Sequence, residues 1–306
     1  MKFPDYKTLV ITTLLTIALS CAGFALLELN LVPYGFTLFC VMPFVIGYIL
    51  GQYPNLKISL FFGAILGIVC FFYLLFINGL ESMFCIITLS PLLLFLLFCG
   101  MYIGYLIKKS KSDNDKKGAT KVSGYIFPIA LLFISSGIEK FFTEKYTDVK
   151  IETRIVLPYS KELVFDYIKS FDTLKSDKPF LFKIGIQTPL KCILEKDSIG
   201  AKRTCYFKEG TIDEIITNYK RGEILQMKIT KYNMPGRKWL HFQDAIYLFK
   251  QIGDSTELTR ITAYKTELKP RFYWGFWEEK AIRAEHEYVL ADLKRRLDDN
   301  ANLNKR

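Results

Sequence analysis

The chain has 306 residues, of which 51% are hydrophobic and 15% aromatic. Its mean hydropathy is +0.20. That composition excludes a disordered chain and argues against an ordinary soluble enzyme. The formal net charge is +11, unevenly placed: residues 1–145 hold 11 Lys/Arg and 7 Asp/Glu, and residues 146–306 hold 30 and 23. The first part reads as a membrane region and the second as a folded water-soluble domain.

Five apolar stretches follow one another, at 8–27, 34–52, 58–77, 85–107 and 122–139. Each is near the ~20 residues that cross a ~30 Å hydrocarbon core as a helix. The fifth is shorter and contains Pro128, which membrane helices tolerate. The first reads as a retained helix. Ala18-Leu19-Ser20-Cys21 matches a lipoprotein cleavage box only in part, and apolar residues run on to Leu27.

Lys2, Lys7 and Lys57, with Lys108, Lys109, Lys111, Lys116, Lys117 and Lys121, mark one side of the membrane. The alternate loops, 28–33 and 78–84, have no Lys or Arg and contain Glu28 and Glu81. The positive side is cytoplasmic. Five crossings from a cytoplasmic N-terminus put the C-terminal domain outside the cytoplasm, with a bacterial inner membrane as the expected home. If 122–139 does not cross, the domain is cytoplasmic instead.

Gly47/Gly51, Gly63/Gly67 and Gly100/Gly104 are Gly-x-x-x-Gly pairs. Such pairs let helix backbones approach closely. They serve either as a seam between two copies of the chain or as packing within one bundle. No ionisable residue sits mid-span in the first four stretches, which argues against a proton-coupled transporter. The five cysteines of this region have no metal-like spacing and read as small apolar fillers.

In the second half, Val149 to Val156 alternates and reads as a strand. Ser160 is a good helix N-cap with Glu162 in the first turn. Leu163, Val164, Tyr167, Ile168 and Phe171 form one helical face. A short helical or irregular piece fills 172–182. Strand-like runs follow at 189–196, 201–208, 210–218, 222–231, 239–251 and 256–267, with turns at 197–200 and 253–254. A long helical segment, 272–298, closes the chain. This order gives an α+β domain: an antiparallel sheet with a helix across it.

Three stretches carry a family likeness: Val156 to Phe165, the runs 200–203, 210–216 and 222–229, and Trp274 to Leu297. Over 149–298 the sequence resembles the START-like, or SRPBCC, superfamily of polyketide cyclases, Bet v 1-type proteins and lipid-transfer domains. The resemblance implies a helix-grip fold, a curved antiparallel sheet wrapped on the long C-terminal helix. It also implies an apolar ligand site between them. It implies no particular reaction, because the fold hosts carriers, enzymes and regulators.

On a helical wheel Phe272, Gly275, Ile282, His286, Val289, Leu290, Leu293 and Leu297 share the arc expected to face the sheet. Trp274, Trp277, Ile282, His286 and Val289 are the candidates to line the ligand site. His286 with Glu278 or Glu279 is the one candidate acid–base group. The alternative is a satisfied core histidine with Glu279 paired to Arg283. Phe272 to Trp277 places five aromatics in six positions, suited to a cavity mouth, a membrane interface or packing. His241 and Asp244, at odd spacing on one strand, need a bulge to share a face.

If Ser198-Ile199 is a two-residue hairpin loop, Cys192 lies opposite Cys205 as a non-hydrogen-bonded pair, near enough for a disulfide in an oxidising compartment. Two reduced cysteines in adjacent strands are the alternative. No zinc motif, phosphate loop or nucleophile elbow is present, so no metal or cofactor is expected. The domain's net charge of +7, from 30 basic and 23 acidic residues, suits anionic lipid better than nucleic acid.

Three functions fit: a membrane-tethered binder of a lipid or other apolar molecule, a cyclase or dehydratase acting on an apolar substrate, and a sensor or assembly protein coupled to the membrane bundle. A homo-oligomer through the glycine faces belongs to the first reading of those pairs.

Overall fold

A computed structural model describes residues 5–53, 58–114, 123–142, 144–234 and 239–303. Side chains at 110–127 are outside the description. Of the expected positive side, Lys2, Lys57, Lys116, Lys117 and Lys121 lie outside the described residues, and of Lys111 only the backbone is described. Two compact units emerge, 1–81 with 85–145 and 267–272, and 82–84 with 146–266 and 273–306.

The first unit contains α1 (Tyr6–Glu28), α2 (Met42–Gly51), α3 (Ile58–Ile77), most of α4 (Met83–Asn114) and α5 (Ser123–Phe142). Tyr6–Glu28, Ile58–Ile77 and Met83–Lys109 are long and apolar enough to cross a membrane. The second apolar stretch is shorter than expected. It becomes helical at Thr37, opening with a π turn over Thr37–Val41 that leads into Pro43 near the start of α2. Proline lacks the N–H of a regular turn and crowds the carbonyl four residues back, which a π turn relieves. The helix from Thr37 to Gly51 is about 22 Å long at 1.5 Å per residue, short of a ~30 Å core. The fifth helix has 20 residues with Pro128 inside it.

α1 is inverted relative to a water-soluble helix. Its buried face is Thr8, Thr12, Thr16, Ser20, Gly23 and Leu27, while Ile11, Leu14 and Leu15 are exposed. The Thr12 and Thr16 hydroxyls donate to the carbonyls of Thr8 and Thr12, four residues back, at 2.7 and 2.8 Å. Thr13 donates to Leu9 O and across to Gly63 O of α3. A Cβ at Gly63 or Gly67 would collide with this threonine face.

The other two glycine pairs meet each other. A Cβ at Gly47 would stand 1.9 Å from Leu97 O, and one at Gly100 would stand 2.1 Å from Phe44 O. Gly51 and Gly104 repeat the contact against Met101 O and Tyr48 O. All three Gly-x-x-x-Gly faces are therefore filled from within the chain. These contacts are the packing within one bundle that the pairs allowed.

The second unit begins with β1 (Thr147–Leu157), α6 (Lys161–Ile168) and α7 (Phe180–Lys183). Six strands follow: β2 (Pro189–Leu194), β3 (Lys202–Phe207), β4 (Gly210–Lys220), β5 (Ile224–Asn233), β6 (Leu240–Ile252) and β7 (Ser255–Thr266). α8 (Arg271–Leu303) closes it. The seven strands form one antiparallel sheet in the order β1-β7-β6-β5-β4-β3-β2. Ser160 caps α6 by accepting from the Leu163 amide. Gly253, at φ +56, takes the first place of the two-residue turn joining β6 to β7, where glycine avoids the Cβ clash.

The sheet, α6 and the C-terminal half of α8 bury one core. Leu157, Phe165, Ile168, Ile216, Leu225 and Leu258 meet Val289, Leu290, Leu293 and Leu297. Asp292 ties the irregular 172–179 segment to α8 by accepting from the Lys175 amide, Arg295 and Arg296 at 2.8, 2.8 and 2.9 Å. Burial pushes its carboxyl up, but these three donors outweigh it and hold the group below the usual carboxylate range. This is the helix-grip arrangement, an antiparallel sheet against a long closing helix, that the family likeness implied.

Candidate functional site

Period-two alternation sends Leu258, Arg260, Thr262, Tyr264 and Thr266 of β7 to the face covered by α8, and all five are buried. Apart from Leu258 they are polar or carry a polar tip, so a belt of hydrogen bonds lies beneath the helix. Tyr264 and Thr266 donate to Glu278, at 3.1 Å to Oε2 and 2.8 Å to Oε1. His286 Nε2 lies 2.8 Å from Thr262 Oγ1, and its Nδ1 lies 2.9 Å from Thr153 Oγ1 of β1. Burial first, then the charges of Arg260 and Arg283, push the His286 imidazole down to about 2. His286 is therefore neutral at physiological pH, with both nitrogens engaged by hydroxyls.

The belt continues with Arg260, which donates from Nη2 to Glu285 at 2.9 Å. Its guanidinium stands 5.4 Å from the ring of Tyr247, its register partner on β6. The Arg260 side chain is 9% exposed, and its Nε and Nη1 have no hydrogen-bond partner among the described residues. A buried donor left unmade costs about 1–3 kcal/mol. Burial holds the Tyr247 phenol above its ordinary value, with Arg260 and Arg203 opposing. Arg203 on β3 donates to Glu214 on β4 at 2.6 Å and to Lys169 O at 2.9 Å. That ion pair is buried, its side chains 3% and 7% exposed.

The structure separates the expected acid–base group. Glu278 and His286 are eight residues apart on α8, about 12 Å along its axis at 1.5 Å per residue, and each is occupied by sheet hydroxyls. Glu279 lies on the outside, paired with Arg283 at 2.7 Å. Ile282 packs with Ile151 and Tyr264, and Val289 belongs to the main core. Trp274 is buried beside Trp239, with ring centroids 6.4 Å apart. Trp277 is half-buried and packs edge-on to Phe276. Phe272, placed on the inner arc by the helical wheel, is instead 81% exposed, and Trp274 and Glu278 take the inward positions of the first turns.

A bulge between Phe242 and Asp244 resets the alternation of β6. His241 and Asp244 consequently share the face away from α8, while Phe242, Ala245 and Tyr247 share the inner one. Among the described residues no group of three or more His, Cys, Asp or Glu could hold a metal ion.

Cys192 and Cys205 are register partners joined by a disulfide, with Cα atoms 4.0 Å apart. The Cys192 amide and carbonyl bond Phe171 at 2.8 Å each, away from β3. This makes the cysteines a non-hydrogen-bonded pair, the closer type. The turn is longer than two residues, since β2 ends at Leu194 and β3 starts at Lys202, yet the register is the one a 198–199 turn gives.

Sequence reasoning missed Arg203, Glu214, Tyr247, Arg260 and Glu285. A signal for one pair existed. With 208–209 as the turn between β3 and β4, Arg203 falls opposite Glu214. For Arg260, the polar set at every second position of β7 conceals which face is inner.

No family model matches the chain, and no curated protein matches it. Among solved structures, a START superfamily protein from Mycobacterium smegmatis is similar at 12% identity, covering 49% of this chain and 97% of that one, with a TM-score of 0.37. A protein from Nitrosospira multiformis is similar at 16% identity over 48% and 94% of the two chains, TM-score 0.34. The Aha1 dimer from Colwellia psychrerythraea is similar at 12% identity over 48% and 93%, TM-score 0.30. On its own strand order and closing helix, the C-terminal half of this chain has a START-like, helix-grip fold, preceded in sequence by apolar helices that fit a membrane region.

Proposed function

We propose that the chain is a membrane-tethered binding protein whose helix-grip domain, 146–306, takes up an amphiphilic small molecule delivered from or to the bilayer. The observation that carries this reading is the layered interior of the grip. An apolar layer around Leu225, Leu258 and Leu293 lies next to a polar belt holding Arg260, whose donors are not all met. An apolar pocket with a few placed polar groups is the usual form of a small-molecule site. Trp274, Trp277, Ile282, His286 and Val289 remain the proposed lining on α8, with His286 a neutral, hydroxyl-held member of the belt. The enzyme reading is weaker, because His286 and Glu278 are each held by hydroxyls rather than by one another.

The tether is the region 1–145. Supporting it is the inverted α1, which turns threonines inward and leucines outward, as a lipid-facing helix does. The lysine asymmetry supports a cytoplasmic N-terminus, and the Cys192–Cys205 disulfide suits an oxidising, extracytoplasmic place for the domain. The test is native mass spectrometry of the full chain released from its host membrane, followed by organic extraction. One stoichiometric amphiphile is expected; a chain that retains only bulk membrane lipid in bulk proportions would overturn the reading.

A further inference from the structure

Arg260 is the one arginine whose buried nitrogens lie between the sheet and α8 with two of three unpartnered among the described residues. Its Nη2 serves Glu285 from one side, and the Tyr247 ring covers one face. Nε and Nη1 remain, on opposite flanks of that nitrogen, so they are not a fork for a single carboxylate. The charges around them are already matched. Arg260 pairs with Glu285, Arg203 pairs with Glu214, and His286 is neutral. A further anion would bring an uncompensated charge into this interior, whereas an uncharged oxygen would satisfy a donor without that penalty.

We propose that Arg260 marks the polar end of an internal ligand site and donates to the oxygen of an uncharged carbonyl, a ketone or ester, on an otherwise apolar molecule. This rests on the binding role proposed above and names the ligand class for it.

The test uses the full chain in lipid nanodiscs carrying equal mole fractions of hexadecane, methyl hexadecanoate or hexadecanoate, with retained probe per protein read by native mass spectrometry. In the wild type, methyl hexadecanoate is expected to be held at least about tenfold more tightly than either of the others, the scale of one charge-assisted hydrogen bond. Arg260→Met leaves Glu285 without its partner and can fail to fold. The double variant Arg260→Met/Glu285→Gln therefore accompanies it and should abolish the ester's advantage over hexadecane. Equal retention of ester and hexadecane by the wild type would overturn the assignment while leaving a binding domain in place. So would tightest retention of hexadecanoate. Retention of none of the three would overturn the binding role itself.

Discussion

His286 makes the stability of the C-terminal unit depend on acid in a calculable way. It is 0% exposed, and its imidazole is pushed down to about 2 by burial and then by Arg260 and Arg283. In the unfolded chain the same group titrates near 6.5. Below that pH the unfolded state binds a proton that the folded state refuses. The stability contributed by a neutral His286 is thus fully present above 6.5 and is lost as pH falls from there toward 2. The slope is about 1.4 kcal/mol per pH unit, so lowering the pH from 7 to 5 removes about 2 kcal/mol. Asp292 and Asp166, both held below their ordinary values, add a loss of the same sign at still lower pH. His286→Gln, which keeps an amide between Thr153 and Thr262, separates the contributions. Hydrogen exchange of the β7 and α8 amides, corrected for the intrinsic effect of pH, reads the opening free energy of the full chain in detergent. Wild type should lose about 2 kcal/mol more than His286→Gln between pH 7 and 5. Parallel pH profiles would refute a neutral, buried imidazole.

The remaining predictions concern the ion pair, the disulfide and the glycine seam. Arg203→Met alone should cost about 3–5 kcal/mol by leaving Glu214 buried and unpaired. Arg203→Met/Glu214→Leu should recover most of that in the same exchange measurement, and equal losses from both variants would contradict it. Alkylation of the unreduced, denatured chain should leave Cys192 and Cys205 unmodified, and breaking their bond with a Cys→Ser pair should destabilise the domain by about 3 kcal/mol for a short loop. Gly47→Ala and Gly100→Ala should lower the melting temperature of the detergent-purified chain, because each Cβ meets a backbone carbonyl, whereas Gly137→Ala should not, having nothing within 4 Å. Equal melting of all three would argue against the α2–α4 seam.

Much of the fold was readable because it rests on periodicity and turn chemistry. The seven strands, the Ser160 cap and the closing helix each follow from alternation, a capping side chain or a 3.6-residue face. The Cys192–Cys205 register was readable because one glycine-bearing turn sets an entire hairpin. The site was much less legible. Its defining side chains are charged and hydroxyl residues on an inner face, and polarity there contradicts the rule that locates inner faces. Phe272 was misplaced for a related reason: the first turns of α8 bury Trp274 and Glu278, and a buried carboxylate cannot be inferred without the Tyr264 and Thr266 hydroxyls that satisfy it. The bulge at β6 was unreadable because nothing in residues 241–244 announces the extra residue. The glycine pairs were visible, but their partners were not, since identical spacing serves contacts within and between chains.

The most direct test of a ligand held inside the grip is a photoreactive diazirine methionine incorporated in place of Met227, which is fully buried in the main core and lies 3.6 Å from Arg203. The chain is irradiated in its own host membrane, digested and examined by mass spectrometry. A small-molecule adduct on the β5 peptide, of a single mass carrying an uncharged carbonyl, is expected. Crosslinks running only from β5 to α8 or to neighbouring strands, with no adduct, would contradict it.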